Sequence, residues 1–436
     1  MTQKTKFQTP TGMHDILPED QPYFQKVFST VDEIASYYGF DRIDTPMLED
    51  VQLYEKGTGA STDIVEKQMY VLNTKGGDVL ALRPEFTPGI MRSYIQHGML
   101  NLPQPVKLYT YGPLFRYESP QAGRYRQFHQ FDFEVFGEEG PSIDAQITQI
   151  FYAVLRELKF SHLIIEVNSI GDGQCRPYYK KILANYFRSR QGSLCADCRR
   201  RLKTNILRVL DCKEEKCQRV KAQAPQIVDH LCEGCKAHFK SLLEFLDASD
   251  IPYHLNPYLV RGLDYYTKTV FEIFSDKIIG ASEAGDTQAI TRNALAGGGR
   301  YDGLSKLYGG KDIPAMGAAA GVERIVALMK QSETLQVKQV MPKIFLAQLG
   351  DLPKKKSLKL MEEFRKARIP MAESLGRDSL RAQLARADKL GVEYTLILGQ
   401  KEVLENSIVF RKMDTGEQET VKLNKVVEEL RQKLKK

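Results

Sequence analysis

Two alternating stretches, Val106-Lys107-Leu108-Tyr109-Thr110-Tyr111 and Phe131-Asp132-Phe133-Glu134-Val135-Phe136, flank an arginine-rich loop running from Arg116 to Arg126. Side chains that alternate at a period of two belong to strands that pack one face and leave the other for different work. Two such strands joined by one loop make a long antiparallel hairpin. Glu134 lies in an apolar alternating strand, where an inward carboxylate is costly unless it has partners.

Around this hairpin the chain reads as an interrupted core followed by a second module. At 436 residues it is too long for one hydrophobic core, so two or three domains are expected. Residues 1–330 read as the core, and 171–250 as a basic, cysteine-containing helical insertion. Strands resume at Tyr258-Leu259-Val260 and at Thr269 to Phe274, and a helix begins near Gly321. Residues 331–341 read as a polar linker. From 342 to 436 strands at Lys343 to Leu349, Pro370 to Ser374 and Tyr394 to Leu398 alternate with helices near Lys354 to Lys366 and Ser379 to Lys389. Such alternation implies a small, mostly parallel sheet, with a hairpin turn at Asp414-Thr415-Gly416.

Hydrophobic residues make up 42% of the chain and charged residues 27%, values ordinary for a globular protein, and no apolar run reaches membrane-spanning length. The first residues lack the apolar stretch of a signal peptide, and the odd, clustered cysteines do not suit a disulfide framework; a reducing cytoplasmic setting is expected. The net charge of +7 is concentrated in 171–250 and 343–436, leaving the remainder acidic. Basic modules attract polyanions such as RNA, although a solvated basic surface gives the same pattern.

There is no Gly-x-x-x-x-Gly-Lys-Ser/Thr loop, and no Gly-x-Gly-x-x-Gly opens a helix after a strand, so phosphates need another cradle. The sequence offers arginines instead: Arg116 within Gly112 to Glu118, Arg261, and Arg324 at the end of Gly317-Ala318-Ala319-Ala320-Gly321-Val322-Glu323-Arg324. A planar, permanently charged guanidinium suits phosphate, and it equally suits a structural ion pair.

The runs Phe115-Arg116-Tyr117-Glu118 and Gly123-Arg124-Tyr125-Arg126-Gln127-Phe128-His129-Gln130 resemble motif 2 of class II aminoacyl-tRNA synthetases. Gly317 to Arg324 resembles their motif 3, and Asp41-Arg42-Ile43-Asp44-Thr45-Pro46 their dimer-forming motif 1. Within that class, Thr9 to Asp15, Arg83-Pro84-Glu85-Phe86-Thr87, Leu259-Val260-Arg261-Gly262-Leu263-Asp264-Tyr265-Tyr266-Thr267 and Gly298-Gly299-Arg300-Tyr301-Asp302-Gly303 resemble the histidyl-tRNA synthetases, in order and over essentially the whole chain. The resemblance implies an α+β catalytic domain on an antiparallel sheet, with a helical insertion and a C-terminal α/β domain like the family's anticodon-binding domain. It also implies a homodimer that activates L-histidine with ATP and Mg2+ and transfers it to histidine tRNA.

Carried over by resemblance, Arg116 and Arg261 are the catalytic arginines, lying on opposite sides of the α-phosphate, and both also belong to the histidine site. Glu85, Thr87, Gln130 and Glu134 surround the amino group and ring of histidine, with Tyr265, Tyr266 and Tyr301 near them. Arg116, Glu118, Arg124 and Arg324 meet ATP, and the loop carrying Gln121, Arg124 and Arg126 meets the tRNA acceptor end. Gly298, Gly299 and Arg300 are expected close to substrate. Many family members have glycine before the threonine, where this chain has Phe86. As isolated residues, Tyr265 and Tyr266 also fit packing in a strand, in which Arg261 and Tyr265 would share one face unless the backbone turns after Gly262.

Two Cys-x-x-Cys pairs, Cys195/Cys198 and Cys232/Cys235, can complete one tetrahedral zinc site, with Cys212 and Cys217 between them. Buried reduced thiols in a helical insertion are the alternative. The runner-up function is the synthetase-like regulatory subunit of ATP phosphoribosyltransferase, which charges no tRNA; the intact arginine set and the C-terminal domain argue against it.

Overall fold

A computed structural model describes residues 7–60, 62–121, 123–276, 294–332, 337, 341–376 and 379–434. Most of the expected linker at 331–341, and the first six residues of the N-terminal segment read for a signal peptide, lie outside these. The chain divides into two compact units, Met1–Val337 and Lys338–Lys436.

In the first unit, β1 (Asp41–Arg42) precedes a small antiparallel sheet of β2 (Leu48–Asp50), β3 (Tyr70–Asn73) and β4 (Val79–Leu82). The large sheet adds β5 (Val106–Phe115), β6 (Gln127–Phe136), β7 (Leu163–Ser169), β8 (His254–Leu255), β9 (Thr267–Ser275), β10 (Ala296–Arg300) and β11 (Ala315–Gly321). Its order is β1-β5-β6-β11-β10-β9-β7-β8. The pairs from β5 across to β7 are antiparallel, and the short edge strands β1 and β8 pair in parallel. The hairpin β5–β6 runs from Val106 opposite Phe136 to Phe115 opposite Gln127, so both strands continue past the expected segments toward the arginine-rich loop.

One face of the sheet packs on helices Gln21–Tyr38, Pro141–Glu157 and Val322–Gln331, through Phe131, Phe133, Phe151 and Phe271. The other face carries Glu134, and beneath it the segment 86–94 and the insertion join one apolar cluster with Tyr265 and Tyr266. The insertion is helical, but its last helix, Glu233–Ala248, sets Phe239, Leu242 and Leu246 into the core of the main sheet.

Two expectations change here. Tyr258-Leu259-Val260 is not a strand: the chain from 257 to 266 is irregular, and β9 begins at Thr267. Arg300 is not at a substrate site. It is fully buried against helix Pro141–Glu157, 2.5 Å from Asp144 and 3.1 Å from Asp302, and it donates to the carbonyls of Glu138 and Gly140. Asp144 also receives His238 at 2.8 Å. Burial alone would raise the Asp144 pKa, but the bonds from His238 and Arg300 outweigh it and hold the carboxyl below its ordinary value.

In the second unit the sheet order is β13-β12-β14-β15-β16, with β12 (Ile344–Gln348), β13 (Met371–Glu373), β14 (Tyr394–Leu398), β15 (Ser407–Lys412) and β16 (Gln418–Lys422). β12 is parallel to both neighbours, whereas β14–β15 and β15–β16 are antiparallel, so the sheet is mixed rather than mostly parallel. The short helix Gln400–Leu404 and the turn at Asp414-Thr415-Gly416 reverse the chain twice.

Arg300→Ala leaves the Asp144 carboxylate buried and short of its main cation, a loss of about 3–5 kcal/mol for broken buried pairs. The unfolding transition of the first unit should fall accordingly in denaturant titration, and a near-wild-type midpoint would refute this role.

Candidate active site

The open face of the large sheet holds a cavity of about 340 Å³. β6 contributes its alternate residues Gln130 and Asp132 to the wall, with Glu134 on the same face but wholly buried beneath. The start of helix Thr87–Gln96 brings Glu85 and Thr87, and the tip of the hairpin brings Arg116, Glu118 and Arg124. The irregular segment before β9 brings Arg261, Tyr265 and Tyr266, and Arg324 enters from the first turn of helix Val322–Gln331. Tyr301 stays behind the wall and reaches the site through Glu134.

The floor is acidic, and its carboxylates are buried. Glu85 accepts from Thr58 Oγ1 at 2.6 Å and from the Tyr265 hydroxyl at 2.7 Å. Glu134 accepts from Thr87 Oγ1 at 2.5 Å and from the Tyr301 hydroxyl. Burial raises the Glu85 pKa, opposed by these donors and by the fields of Arg116 and Arg261. Burial likewise raises Glu134, to about 7, against the bonds from Thr87 and Tyr301. Asp132 is pushed well above the carboxylate range by burial and then by Glu134 beside it, and its Oδ1 has no hydrogen-bond partner. Burial and the Glu85 charge keep Tyr265 a neutral phenol that donates.

Room for this floor is made by the absence of side chains. Gly317 on β11 lies opposite Glu134, where a Cβ would collide with the carboxylate; one at Gly297 on β10 would press on the Arg261 guanidinium. Gly297 therefore lines the cavity, whereas Gly298 and Gly299, expected near substrate, sit against the β11 and β9 backbones.

Arginines line the same cavity. Arg116 donates Nε to the Pro84 carbonyl at 2.8 Å and lies 5.4 Å from the Phe128 ring. Arg261 pairs with Glu272 of β9; burial disfavours its charge, but Glu272 together with Tyr266 and Tyr265 outweighs burial and raises its pKa. Arg324 is anchored by the Gly123 carbonyl at 3.0 Å and the Ala294 carbonyl at 2.7 Å, and burial lowers its pKa. Glu118 takes Arg124 at 3.4 Å. Arg126 turns away from the cavity, its guanidinium 3.8 Å above Tyr117. Phe86, the departure from the common glycine, is buried with Arg83 4.7 Å over its ring.

Among the cavity or floor residues not singled out from the sequence for the site are Thr58, Asp132, Glu272 and Gly297, together with Arg208 and Asp211 of the insertion. Asp132 had a signal, since it shares a strand face with Gln130 and Glu134. The others depend on pairings across the fold. The four cysteines proposed for one zinc site are not together. Cys195 and Cys198 cluster with Cys212 and Cys217, while Cys232 and Cys235 cluster with Asp172 and Cys175.

An antiparallel sheet with arginines on a long hairpin and on the helix after the last strand, set over an acidic amino-acid-sized floor, defines the catalytic domain of a class II aminoacyl-tRNA synthetase. The profile of the family "Histidyl-tRNA synthetase" matches residues 12–325, and that of "Anticodon binding domain" matches 343–433. A histidine–tRNA ligase of Dehalococcoides mccartyi is 43% identical over 98% of this chain and 100% of its own length. One from Acetivibrio thermocellus is 41% identical over 97% and 99%. The apo histidyl-tRNA synthetase of S. aureus superposes with a TM-score of 0.78 at 34% identity, covering 97% of this chain and 99% of that one. The chain belongs to the histidyl-tRNA synthetase family.

The raised Glu134 pKa has a sign. A carboxyl whose folded pKa lies above its unfolded value near 4.5 adds stability below that value, and the contribution is lost as pH rises through about 7. The unfolding temperature of wild type relative to Glu134→Gln should therefore fall between about pH 4.5 and 7. A difference that stays constant with pH would show that Glu134 does not titrate there.

Proposed function

We propose that this chain is a histidine–tRNA ligase: it joins L-histidine to ATP, releasing pyrophosphate, and passes the histidyl group to the 3′ end of histidine tRNA. The observation that carries this reading is the set of buried carboxylates Glu85, Asp132 and Glu134 at a cavity that is also lined by Arg116, Arg261 and Arg324. Histidine brings an α-ammonium group and an imidazole with two nitrogens, and a site of buried acceptors and phenols rejects side chains that leave them unpaired. Glu85, Thr87, Gln130, Glu134, Tyr265, Tyr266 and Tyr301 form or support that site in this reading.

The histidine carboxylate then attacks the α-phosphorus of ATP, a bond forms to the carboxylate oxygen, and the bond to pyrophosphate breaks. Charge gathers on the phosphoryl oxygens, so fixed cations matter more than a general base. Arg116 and Arg261 take the α-phosphate, and Arg324 the distal phosphates or adenine. Mg2+ keeps several waters and substrate phosphates among its ligands and needs few protein carboxylates. Glu118, a cavity carboxylate beside Arg116 and Arg124, fits that limited part. The second unit takes the anticodon end of the tRNA.

We assign the chain to a cytoplasmic homodimer. The short edge strand β1 is exposed, as are Tyr37, Met47 and Leu48 around it, an arrangement that a second copy can cover. Among the described residues no helix is long and apolar enough to cross a membrane. A regulatory subunit without ligase activity is less favoured: likeness to a Bacillus halodurans ATP phosphoribosyltransferase regulatory subunit/histidyl-tRNA synthetase, at 19% identity, extends to the fold alone.

ATP–pyrophosphate exchange with each amino acid in turn should respond to histidine, and failure to do so overturns the reading. Arg261→Ala should cut exchange on the order of a hundred- to a thousand-fold while histidine binding persists. Near-normal exchange in that variant would reassign the arginine. A chain ending at Val337 should lose tRNA charging far more than exchange, and equal losses would refute the division of labour.

A further inference from the structure

The cysteines of the insertion gather into two separate tetrads of metal-binding atoms. In the first, Cys195 caps helix Ala196–Thr204, Cys198 lies in its first turn, Cys212 follows the turn Ile206–Val209, and Cys217 lies in helix Glu215–Lys221. In the second, Asp172 and Cys175 follow β7, where the chain leaves the sheet. Cys232 and Cys235 open helix Glu233–Ala248, where it returns. Within each tetrad all four ligand atoms lie within 4.8 Å of one another.

These dimensions fit one mononuclear ion each. Zinc–sulfur bonds of about 2.3 Å in a tetrahedron give an S–S edge of about 3.8 Å. Cys195 Sγ lies 3.8 Å from Cys212 Sγ. A mixed oxygen–sulfur edge is slightly shorter, about 3.6 Å, and Cys175 Sγ lies 3.6 Å from Asp172 Oδ1, with Cys232 Sγ at 3.9 Å. Backbone amides already point at the sulfurs: Cys198 N is 3.3 Å from Cys195 Sγ, Cys195 N is 3.2 Å from Cys217 Sγ, and Asp172 N is 3.4 Å from Cys175 Sγ. Such donors stabilise a ligating thiolate. All seven cysteines are free, so no disulfide competes for these sulfurs. An iron–sulfur cluster interposes sulfide between several irons and needs its cysteines farther apart.

We propose that the insertion is a two-zinc module, one ion held by Cys195, Cys198, Cys212 and Cys217 and the other by Asp172, Cys175, Cys232 and Cys235. The second ion ties the two ends of the insertion together beside Gly171, whose carbonyl receives the Lys268 amide at 2.8 Å at the start of β9. The first ion fixes the turn that carries Arg208 and Asp211, both on the wall of the active-site cavity. Arg208 also meets Asp63 at 3.2 Å and packs against Gly262, next to Arg261. The metal sites stand independently of the ligase assignment; their effect on the cavity rests on it.

The test is metal analysis of the full chain purified without chelator from zinc-supplied cells, with two zinc ions per chain expected. Trace zinc, or iron in its place, overturns the proposal. Cys195→Ser/Cys198→Ser and Cys232→Ser/Cys235→Ser should each retain one zinc; two retained in either variant refutes that ligand set. Should either variant fail to fold, cobalt exchange into the wild-type chain decides: thiolate-to-cobalt charge-transfer absorption supports the sites, and its absence overturns them. Removal of zinc should raise hydrogen exchange in 205–217, and unchanged exchange there refutes the link to the cavity wall.

Discussion

Three carboxylates removed from water, Glu85, Asp132 and Glu134, set the terms for the rest of the first unit. An isolated buried charge is not tolerated, so each must be neutralised or surrounded by donors. The donors come from far apart in the chain: Thr58 from the irregular helical turn after the small sheet begins, Thr87 from a helix start, Tyr265 from the segment before β9, and Tyr301 from the end of β10. A floor built this way forms only when those four segments have docked. Burial still raises the pKa of Glu134, because the bonds from Thr87 and Tyr301 offset only part of the lost hydration.

The hairpin and the helices were legible in the sequence because their periodicity is local. Val106 to Tyr111 and Phe131 to Phe136 announce a packed face, and alternation already placed Gln130, Asp132 and Glu134 together on the other. Arg300 was misplaced because its glycine neighbours suggest a ligand, whereas its position three residues beyond Gly297 turns it toward helix Pro141–Glu157. That partner, Asp144, is distant in sequence and carries no local mark of its role. The cysteines failed for the same reason. Spacing identifies each Cys-x-x-Cys pair, but which pairs meet depends on how the insertion folds back on β7.

The motif from Leu259 to Thr267 was recognisable as a string and unreadable as a shape. A strand would have separated Tyr265 from Tyr266 on opposite faces. In the irregular segment their rings instead lie 4.7 Å apart, and both reach the cavity together with Arg261. Positive φ at Lys268 and the register shift opposite Gly299 and Arg300 let the chain enter β9 from that loop without losing the pairing with β10.

A loop gains this convergence at the cost of rigidity, because it lacks the ladder of bonds that fixes a strand. Here the missing support comes from below. Leu259, Val260, Tyr265 and Tyr266 share an apolar cluster with Tyr179, Leu183, Phe187 and Leu210 of the insertion, and Asn168 of β7 donates to the Leu259 carbonyl at 2.9 Å. Glu272 holds Arg261 from the neighbouring strand, and Gly297 leaves space for its guanidinium. The insertion is therefore more than an appendage between two core strands. It is the surface on which the least regular part of the active site is built, and its last helix also packs into the core of the main sheet, so loosening it removes the backing of Arg261 and both tyrosines.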